Sequence, residues 1–386
     1  MKRSEANRLR LLYFLVLSCT ASWLPIFADY LKDHGLTGIE IGVVLSVTPF
    51  MMLFIQPFYG MLADRFGYKK CLLYSALSAS MSFLLFLVEG DFLFLFWVTL
   101  VMSLFYNTLQ PLLDSLSLRL AQKNPTFSYG SIRIAGGLGW AFTGTLVGHY
   151  IDALDTTVIF VFSAVSMLLT FVVTLWIKTD NSSFIQDSPS FKQIKYIFKE
   201  KALIILLTCV FLVSAGATTI WNFYSIYMKE NGASSTLVGY GLSFQGLCEL
   251  PLFYFSARII KKLGIKTTLL VTLLATCCRM LLYSVVKDPV MALFIELLHG
   301  ISWSLFWVVC VEYVDRLVKE EWRATGQSLL YAAYFGMGAI AGNFWTGYLY
   351  DSKMMISEIF LLNSIMIFGL GIVCWIFMKT PEPYAK

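Results

Sequence analysis

Nearly all of the positive charge in this chain lies outside its long apolar segments. Of the 29 Lys and Arg residues, only Arg133 and Arg279 fall well inside such segments, and Arg258 is the last residue of one. A run of ~20 apolar residues can cross a bilayer as a helix, and hydropathy divides the chain into about twelve such runs. The predicted spans are 11–30, 38–60, 71–88, 92–117, 129–151, 157–177, 203–228, 236–258, 267–286, 289–313, 324–349 and 357–378.

The remaining basic residues predict the orientation of these spans. Twenty-three of them lie at the two termini and in alternate connections, whereas the opposite connections hold only Lys32, Lys229, Lys287 and Lys353. Loops rich in Lys and Arg stay on the cytoplasmic side during insertion. We therefore expect a multi-pass protein of a bacterial cytoplasmic (inner) membrane, with both termini in the cytoplasm.

The composition excludes an ordinary soluble domain, because 58% of the residues are hydrophobic and only 14% are charged. The net charge of +5 follows from the topology and requires no nucleic-acid partner. The sequence has no Walker loop, Gly-x-Ser-x-Gly or His-Glu-x-x-His motif, so it predicts neither direct use of ATP nor an enzyme. The eight cysteines lack metal-ligand spacing with histidine, and we expect no metal and no cofactor.

One connection is much longer than the others and predicts the domain organisation. Residues 178–201 are polar, carry five lysines and divide the spans six and six. A long cytoplasmic connector between two six-span halves is typical of transporters built from parallel repeats. We predict an N-terminal six-helix bundle at 1–177, a linker at 178–201 and a C-terminal six-helix bundle at 202–386.

Two short sequence echoes support an internal repeat. Residues 60–70, after the second span, resemble 257–266, after the eighth. Residues 148–152, which close the fifth span, resemble 347–351, which close the eleventh. Matches at corresponding places in both halves indicate duplicated bundles.

The first of these segments also carries a motif. The run Gly60-x-x-x-Asp64-Arg65-x-Gly67-x-Lys69-Lys70 resembles the cytoplasmic loop motif of the major facilitator superfamily. Glycine permits a tight turn between helices, and the charges can interact with helix ends and acids. The resemblance implies an all-α membrane protein with twelve helices in two pseudo-symmetric six-helix bundles. It also implies that these six residues form a conformational latch.

Over most of its length the chain resembles the branch that holds lactose permease, other oligosaccharide–proton symporters and the phenylpropionate permeases. The resemblance rests on Ser22–Phe27, Gln56–Gly60 and Tyr129–Trp140, and on the spacing of Gly264, Arg279 and His299. It implies that Asp114, Arg133 and Trp140 contact substrate and that Arg279 and His299 belong to a proton-coupling network. Ser302 occupies the position of the branch's proton-carrying glutamate, which leaves the identity of the proton carrier open.

The residues themselves favour two functional groups. Asp114 and Arg133 lie on consecutive spans joined by a short loop, so they can form a planar, bidentate ion pair. Trp140 follows Arg133 by two helical turns on roughly the same face. An aromatic plane beside a charge pair suits a sugar ring, a nucleoside or an aromatic acid. The alternative is a structural clamp between the fourth and fifth spans.

The second group lies in the C-terminal half. Glu296, His299 and Trp303 share one face of the tenth span, and Arg279 reaches a similar depth from the ninth. Chains of ionisable side chains within a membrane act as proton relays, although a lone histidine is often a packing residue. We predict proton coupling by Glu296, His299, Arg279 and Glu249, with Glu296 as the first choice of carrier, and substrate contact by Trp303.

Together these features predict a proton-coupled symporter that imports a small polar or aromatic solute by alternating access. The expected partners are that solute, protons and membrane lipid, and the expected state is a monomer. Two alternatives stay open at this point. One is a proton-driven exporter of amphipathic compounds, and the other is a membrane sensor that binds solute without transporting it.

Overall fold

The computed structural model describes residues 2–123, 129–177, 201–318 and 323–378, and within these ranges the chain is helical throughout its regular structure. The helices before the central connector are α1 Lys2–Trp23, α2 Phe27–Asp33, α3 Gly38–Phe66, α4 Tyr68–Leu85, α5 Phe92–Tyr106, α6 Leu109–Lys123, α7 Tyr129–Ala153 and α8 Val158–Leu175. Those after it are α9 Lys201–Glu230, α10 Ser235–Leu263, α11 Ile265–Val285, α12 Pro289–Ile295, α13 Phe306–Leu317, α14 Arg323–Tyr331, α15 Ala339–Asp351 and α16 Ile356–Phe377. A 3₁₀ turn and a π-helical segment join α12 to α13, and a second π-helical segment joins α14 to α15.

Every predicted span corresponds to one helix or to consecutive helices. Eight helical segments in the described ranges are long and apolar enough to cross a membrane. The other four predicted spans are α4, α7, α10 and the segment from α14 to α15. These helices are richer in Gly, Ser, Thr and ionisable side chains, which lowers their mean hydropathy. Polar content of this kind is expected of helices that line an aqueous path.

The described residues form two compact units. The first comprises 2–177 together with 222–247, and the second comprises 201–221 with 248–318 and 323–378. In the first unit α1 packs along α7 and α8, and α4 packs on α8. In the second, α11 packs along α16. Residues 178–200 lie outside the described ranges, and the predicted linker at 178–201 stays a prediction.

Close backbone contacts tie residues 222–247 into the first unit. A Cβ added to Gly148 of α7 would lie 2.3 Å from the carbonyl oxygen of Ser235, and one added to Gly239 would lie 2.3 Å from that of Gly144. Glycine therefore lets α7 and α10 approach each other as closely as small-residue interfaces in membranes do. The ammonium of Lys229 also pairs with the buried carboxylate of Asp29.

Asp152, the last residue of the segment 148–152, caps the N-terminus of α10. The Asp152 carboxylate accepts hydrogen bonds from the backbone N–H groups of Ser235 and Thr236, each at 2.8 Å, at the start of α10. A carboxylate at this end satisfies unpaired donors and complements the helix dipole. Removal from water opposes ionisation of this group, but the hydrogen bonds from Thr236 and Ser235 outweigh it and lower the pKa of Asp152.

The echo between 60–70 and 257–266 has a structural counterpart in each unit. Gly67 and Gly264 adopt positive φ angles of 93° and 80°, at the turns that end α3 and α10. Two residues later, Lys69 donates to the carbonyl of Leu175 and Lys266 donates to that of Trp375, both at 2.7 Å. Each lysine therefore caps the C-terminus of the last helix of its half, where a cation is favourable.

The predicted latch is only partly visible. Gly60 lies within α3, and the Asp64 side chain lies outside the described part of the structure. Arg65 and Lys70 are exposed, Gly67 forms the turn, and Lys69 caps α8. The latch role of the six residues stays a prediction.

Candidate functional site

The two arginines well inside predicted spans lie in separate groups of polar side chains, one in each unit. We call the group around Arg133 the first cluster and the group around Arg279 the second cluster. Each consists of side chains from several helices, as expected for polar groups that must be satisfied within a membrane.

The first cluster is centred on Asp114 of α6. Its Oδ1 atom accepts hydrogen bonds from the hydroxyls of Tyr13 at 2.6 Å and Tyr129 at 2.9 Å. Arg133 of α7 donates to the Tyr129 hydroxyl at 2.5 Å and lies 3.8 Å from the same Asp114 oxygen. Tyr129 therefore bridges the cation and the acid.

This geometry corrects the predicted bidentate ion pair between Asp114 and Arg133. The two tyrosine hydroxyls occupy the near oxygen of Asp114, so the guanidinium makes one longer contact with it. The side chains of Arg133 and Asp114 are 47% and 28% exposed, so neither is fully buried. An accessible cation whose donors are incompletely used can hydrogen-bond to a hydroxyl or carboxylate of a solute.

Trp140 lies two turns beyond Arg133 on α7 and is half-buried. A side chain added at Gly246 of α10 would come within 3.3 Å of its indole ring. Glycine at that position therefore leaves room for one flank of Trp140.

The second cluster confirms the predicted proximity of the C-terminal ionisable residues. Arg279 Nη2 pairs with Glu296 Oε2 at 2.5 Å, and the other carboxylate oxygen of Glu296 accepts a hydrogen bond from the Tyr283 hydroxyl. The other terminal nitrogen of Arg279 lies 2.8 Å from His299 Nδ1. His299 Nε2 lies 2.9 Å from Glu249 Oε1. Acid, arginine, histidine and acid thus form a continuous chain.

The arginine determines the tautomer of His299. A guanidinium can only donate hydrogen bonds, so Nδ1 must accept from Arg279. The proton of the neutral ring is then on Nε2, which donates to Glu249. His299 can bind a second proton on Nδ1 only if its contact with Arg279 is broken.

Burial distinguishes the two acids. Glu296 is completely buried, and His299 and Arg279 are 1% and 3% exposed, whereas the Glu249 side chain is 25% exposed. Of the four groups in the chain, Glu249 is the one that water can reach most readily. This series of hydrogen-bonded side chains therefore runs from the accessible acid Glu249 to the buried ion pair of Arg279 and Glu296.

Local backbone distortions position this cluster. After α12 the helix tightens into a 3₁₀ turn at Glu296–Leu298 and then widens into a π-helical segment at Gly300–Leu305. Such segments occur frequently at functional sites. A Cβ on Gly300 would lie 2.4 Å from the carbonyl oxygen of Cys248, so glycine brings α10 and Glu249 close to His299.

Trp303 belongs to an aromatic group beside the second cluster. The Trp221 ring makes edge contacts with His299 at 5.4 Å and with Trp303 at 5.2 Å between centroids. Trp303 also packs on Trp307 and Tyr334. Trp221 and Trp303 are only half-buried, which leaves part of the aromatic surface accessible.

Sequence reasoning missed the aromatic partners of both clusters. Tyr129 precedes Arg133 by four residues and Tyr283 follows Arg279 by four, so helical spacing could have identified both. Tyr13 comes from α1 and Trp221 from α9, and no local signal connects either residue with its cluster. Within the described ranges, no group of three His, Cys, Asp or Glu side chains could hold a metal ion.

Comparison with known proteins identifies the family. A family model described as the MFS_1 like family matches residues 6–361. The chain belongs to this family. It is thus an all-α, multi-pass membrane protein with the major facilitator fold, and the resemblance to the permease branch is confirmed.

The relatives of this chain are membrane transporters, not enzymes. The maltose permease of Geobacillus stearothermophilus is 25% identical, and the match covers 92% of this chain and 90% of that permease. The sucrose permease of Escherichia coli is 24% identical, with 96% and 95% covered. The crystal structure of the nucleoside transporter NupG superposes with a TM-score of 0.85 at 18% identity, covering 97% of this chain and 99% of that one. At that identity the structural match shows the fold alone.

Proposed function

We propose that this transporter is a proton-coupled symporter that imports a small polar solute, most simply a sugar, by alternating access. The observation that carries the proposal is the chain from Glu249 through His299 and Arg279 to Glu296. Proton relays in membrane transporters are built from such ionisable side chains. The sugar is proposed because the maltose and sucrose permeases are relatives over nearly the whole chain. Nucleosides and aromatic acids are the other solutes to test.

Glu249 is the acid that we propose to exchange the proton. Protonating Glu296 would leave the guanidinium of Arg279, 3% exposed, without its counter-ion. Breaking a buried ion pair in this way costs about 3–5 kcal/mol. Glu249 is partly exposed and accepts a hydrogen bond from His299, so its protonation leaves no fully buried cation without a counter-ion. Glu296 then serves as the permanent counter-ion of Arg279.

The first cluster is proposed to bind the solute. Arg133 offers accessible donors, Asp114 and Tyr129 offer acceptors, and Trp140 offers an apolar ring face on the same helix. Sugar hydroxyls both donate and accept, and a pyranose ring packs well on an aromatic plane. Trp303 of the second unit is half-buried and is separately proposed as a substrate contact.

Purified protein in proteoliposomes tests the function. Vesicles with an alkaline interior should accumulate a labelled disaccharide such as maltose or sucrose, and a protonophore should abolish the accumulation. A proton-driven exporter would instead lower the internal solute concentration under the same gradient, because entering protons would drive solute out. A sensor would bind solute without counterflow exchange. Failure of a panel of sugars, nucleosides and aromatic acids to exchange at all would refute the proposal.

Orientation and assembly complete the proposal. The distribution of basic residues supports cytoplasmic termini in a bacterial inner membrane. We also propose that the functional unit is a monomer.

A further inference from the structure

The second unit has an apolar groove between α11 and α16. It has a volume of about 220 Å³ and is lined by aliphatic, aromatic, Cys and Gly residues. Leu274, Phe368 and Trp375 in its walls are each more than half exposed. Both helices are long and apolar enough to span the membrane, so large exposed apolar side chains on them are expected to face lipid.

The position of the groove along the helices matches one leaflet. Its lining extends from Leu270 to Cys277 on α11, which begins at Ile265, and up to Trp375 on α16, which ends at Phe377. At 1.5 Å per residue these positions lie ~8–18 Å from the start of α11. Half of the ~30 Å hydrocarbon core is ~15 Å, so the groove extends from the interface to about the bilayer centre.

Glycine opens the groove. Gly371 lies in its lining, and a Cβ added there would meet no atom within 4 Å. The neighbouring positions on that side of α16 carry the large rings of Phe368 and Trp375. The missing side chain therefore leaves an elongated gap between two aromatic ridges, a shape that fits a flexible acyl chain.

The interfacial end of the groove is basic. The Lys266 ammonium donates one hydrogen bond to the carbonyl of Trp375, a lining residue, at 2.7 Å. An ammonium has three donors, so it can donate to a second acceptor as well. Lys261 and Lys262 are exposed in the last turn of α10, immediately before the turn at Gly264 that leads into α11. Clusters of Lys and Arg beside a membrane helix attract anionic headgroups.

We propose that this groove binds one acyl chain of an anionic phospholipid, whose phosphate pairs with Lys266 and whose headgroup is attracted by Lys261 and Lys262. With the predicted orientation, the lipid comes from the cytoplasmic leaflet. The proposal is independent of the solute and of proton coupling, because none of these residues belongs to either cluster.

Native mass spectrometry of the detergent-purified protein tests the site. The protein is titrated with palmitoyl-oleoyl phosphatidylglycerol or with the phosphatidylcholine of the same chains. Wild-type protein should retain phosphatidylglycerol at least about fivefold more tightly, as expected for one basic residue beside an anionic headgroup. Equal retention of the two lipids would overturn the anionic assignment.

Two glycines on α16 provide a matched pair of variants. Gly371→Leu fills the groove and should remove one bound phosphatidylglycerol. Gly369→Leu adds the same side chain where it also meets no atom within 4 Å, but outside the groove lining, and should bind like the wild type. Leucine favours helix more than glycine does, so both variants should fold. If both variants lose the lipid equally, or neither does, the groove is not the site.

Variants of Lys266 test the headgroup contact separately from binding of the acyl chain. Lys266→Gln should reduce the preference for phosphatidylglycerol over phosphatidylcholine by about fivefold, and Lys266→Arg should restore it while keeping the helix cap. An unchanged preference in Lys266→Gln would exclude the proposed phosphate contact. Thermal unfolding of each variant distinguishes lost lipid from lost fold.

Discussion

The assignment of roles to the two acids of the second cluster gives the sharpest prediction. Glu249→Gln should leave the protein folded, because the amide oxygen can still accept from His299 Nε2–H and the site is 25% exposed. The expected stability change is below about 1 kcal/mol. Glu296→Gln removes the counter-ion of Arg279 and one acceptor from a fully buried site, which should cost about 3–5 kcal/mol.

The two variants should also differ in transport. With one proton per solute, a gradient of about one pH unit supports about tenfold accumulation, since 1.36 kcal/mol corresponds to a factor of ten. Glu249→Gln mimics the protonated carrier, which can reorient when loaded but cannot release its proton. It should retain counterflow exchange and lose accumulation. Glu296→Gln should lose both in proportion to the loss of folded protein.

Glu312→Gln is a suitable control for these measurements. Glu312 lies in the same unit, its side chain is 34% exposed, and it pairs with Arg316 one helical turn away, outside the cluster. This variant should accumulate solute like the wild type. If Glu249→Gln accumulates solute tenfold under the same gradient, Glu249 does not carry the proton. If Glu296→Gln is stable, exchanges solute and does not accumulate it, Glu296 is the carrier instead.

Three further predictions use the first unit and the topology. Asp114→Asn should lower solute affinity about tenfold or more in equilibrium binding. It should change the free energy of unfolding by only about 1 kcal/mol, because Arg133 is half-exposed. Unchanged affinity would show that the first cluster is only a structural clamp between α6 and α7. Asp152→Ala removes the cap of α10 and should cost up to about 1 kcal/mol in thermal unfolding at neutral pH. Since the pKa of Asp152 is lowered in the folded protein, its contribution is present at neutral pH and lost as the pH falls through that lowered value; an Asp152→Ala difference that persists in strong acid would contradict this. Cysteines replacing Glu89 and Lys262, both exposed, should react with an impermeant maleimide only from outside and only from the cytoplasm respectively, and the reverse pattern would overturn the orientation.

The sequence was sufficient for the helices and for the second cluster because both follow from simple geometry. Apolar runs of membrane length predict spans directly, and a constant rise per residue places Arg279, Glu296 and His299 at one depth. Spacing alone could not show that Glu249 joins them. That contact depends on the close approach of α10 to Gly300 and on a π-helical segment, and neither has a reliable sequence signature.

The first cluster shows a different limit of sequence reasoning. The sequence predicts a buried, bidentate ion pair between Asp114 and Arg133, because both residues lie in apolar runs. Hydropathy cannot distinguish a helix face that lines an aqueous path from one that faces lipid, and Arg133 is in fact 47% exposed. Tyr13 is 101 residues from Asp114 in the chain, so only the packing of α1 on α6 reveals its hydrogen bond.

The replacement at Ser302 is consistent with the role proposed for Glu296. In the permease branch that this chain resembles, a glutamate three residues after the histidine carries the proton. Here the acid lies three residues before His299, and Ser302 is left as a weak partner of Arg279 at 3.4 Å. Moving the acid to the other side of the histidine places it against Tyr283 and wholly away from solvent. A proton carrier must meet water at some stage of its cycle, whereas a counter-ion need not. The burial that makes Glu296 suitable as the counter-ion of Arg279 is therefore the same property that favours Glu249 in the proposed proton exchange.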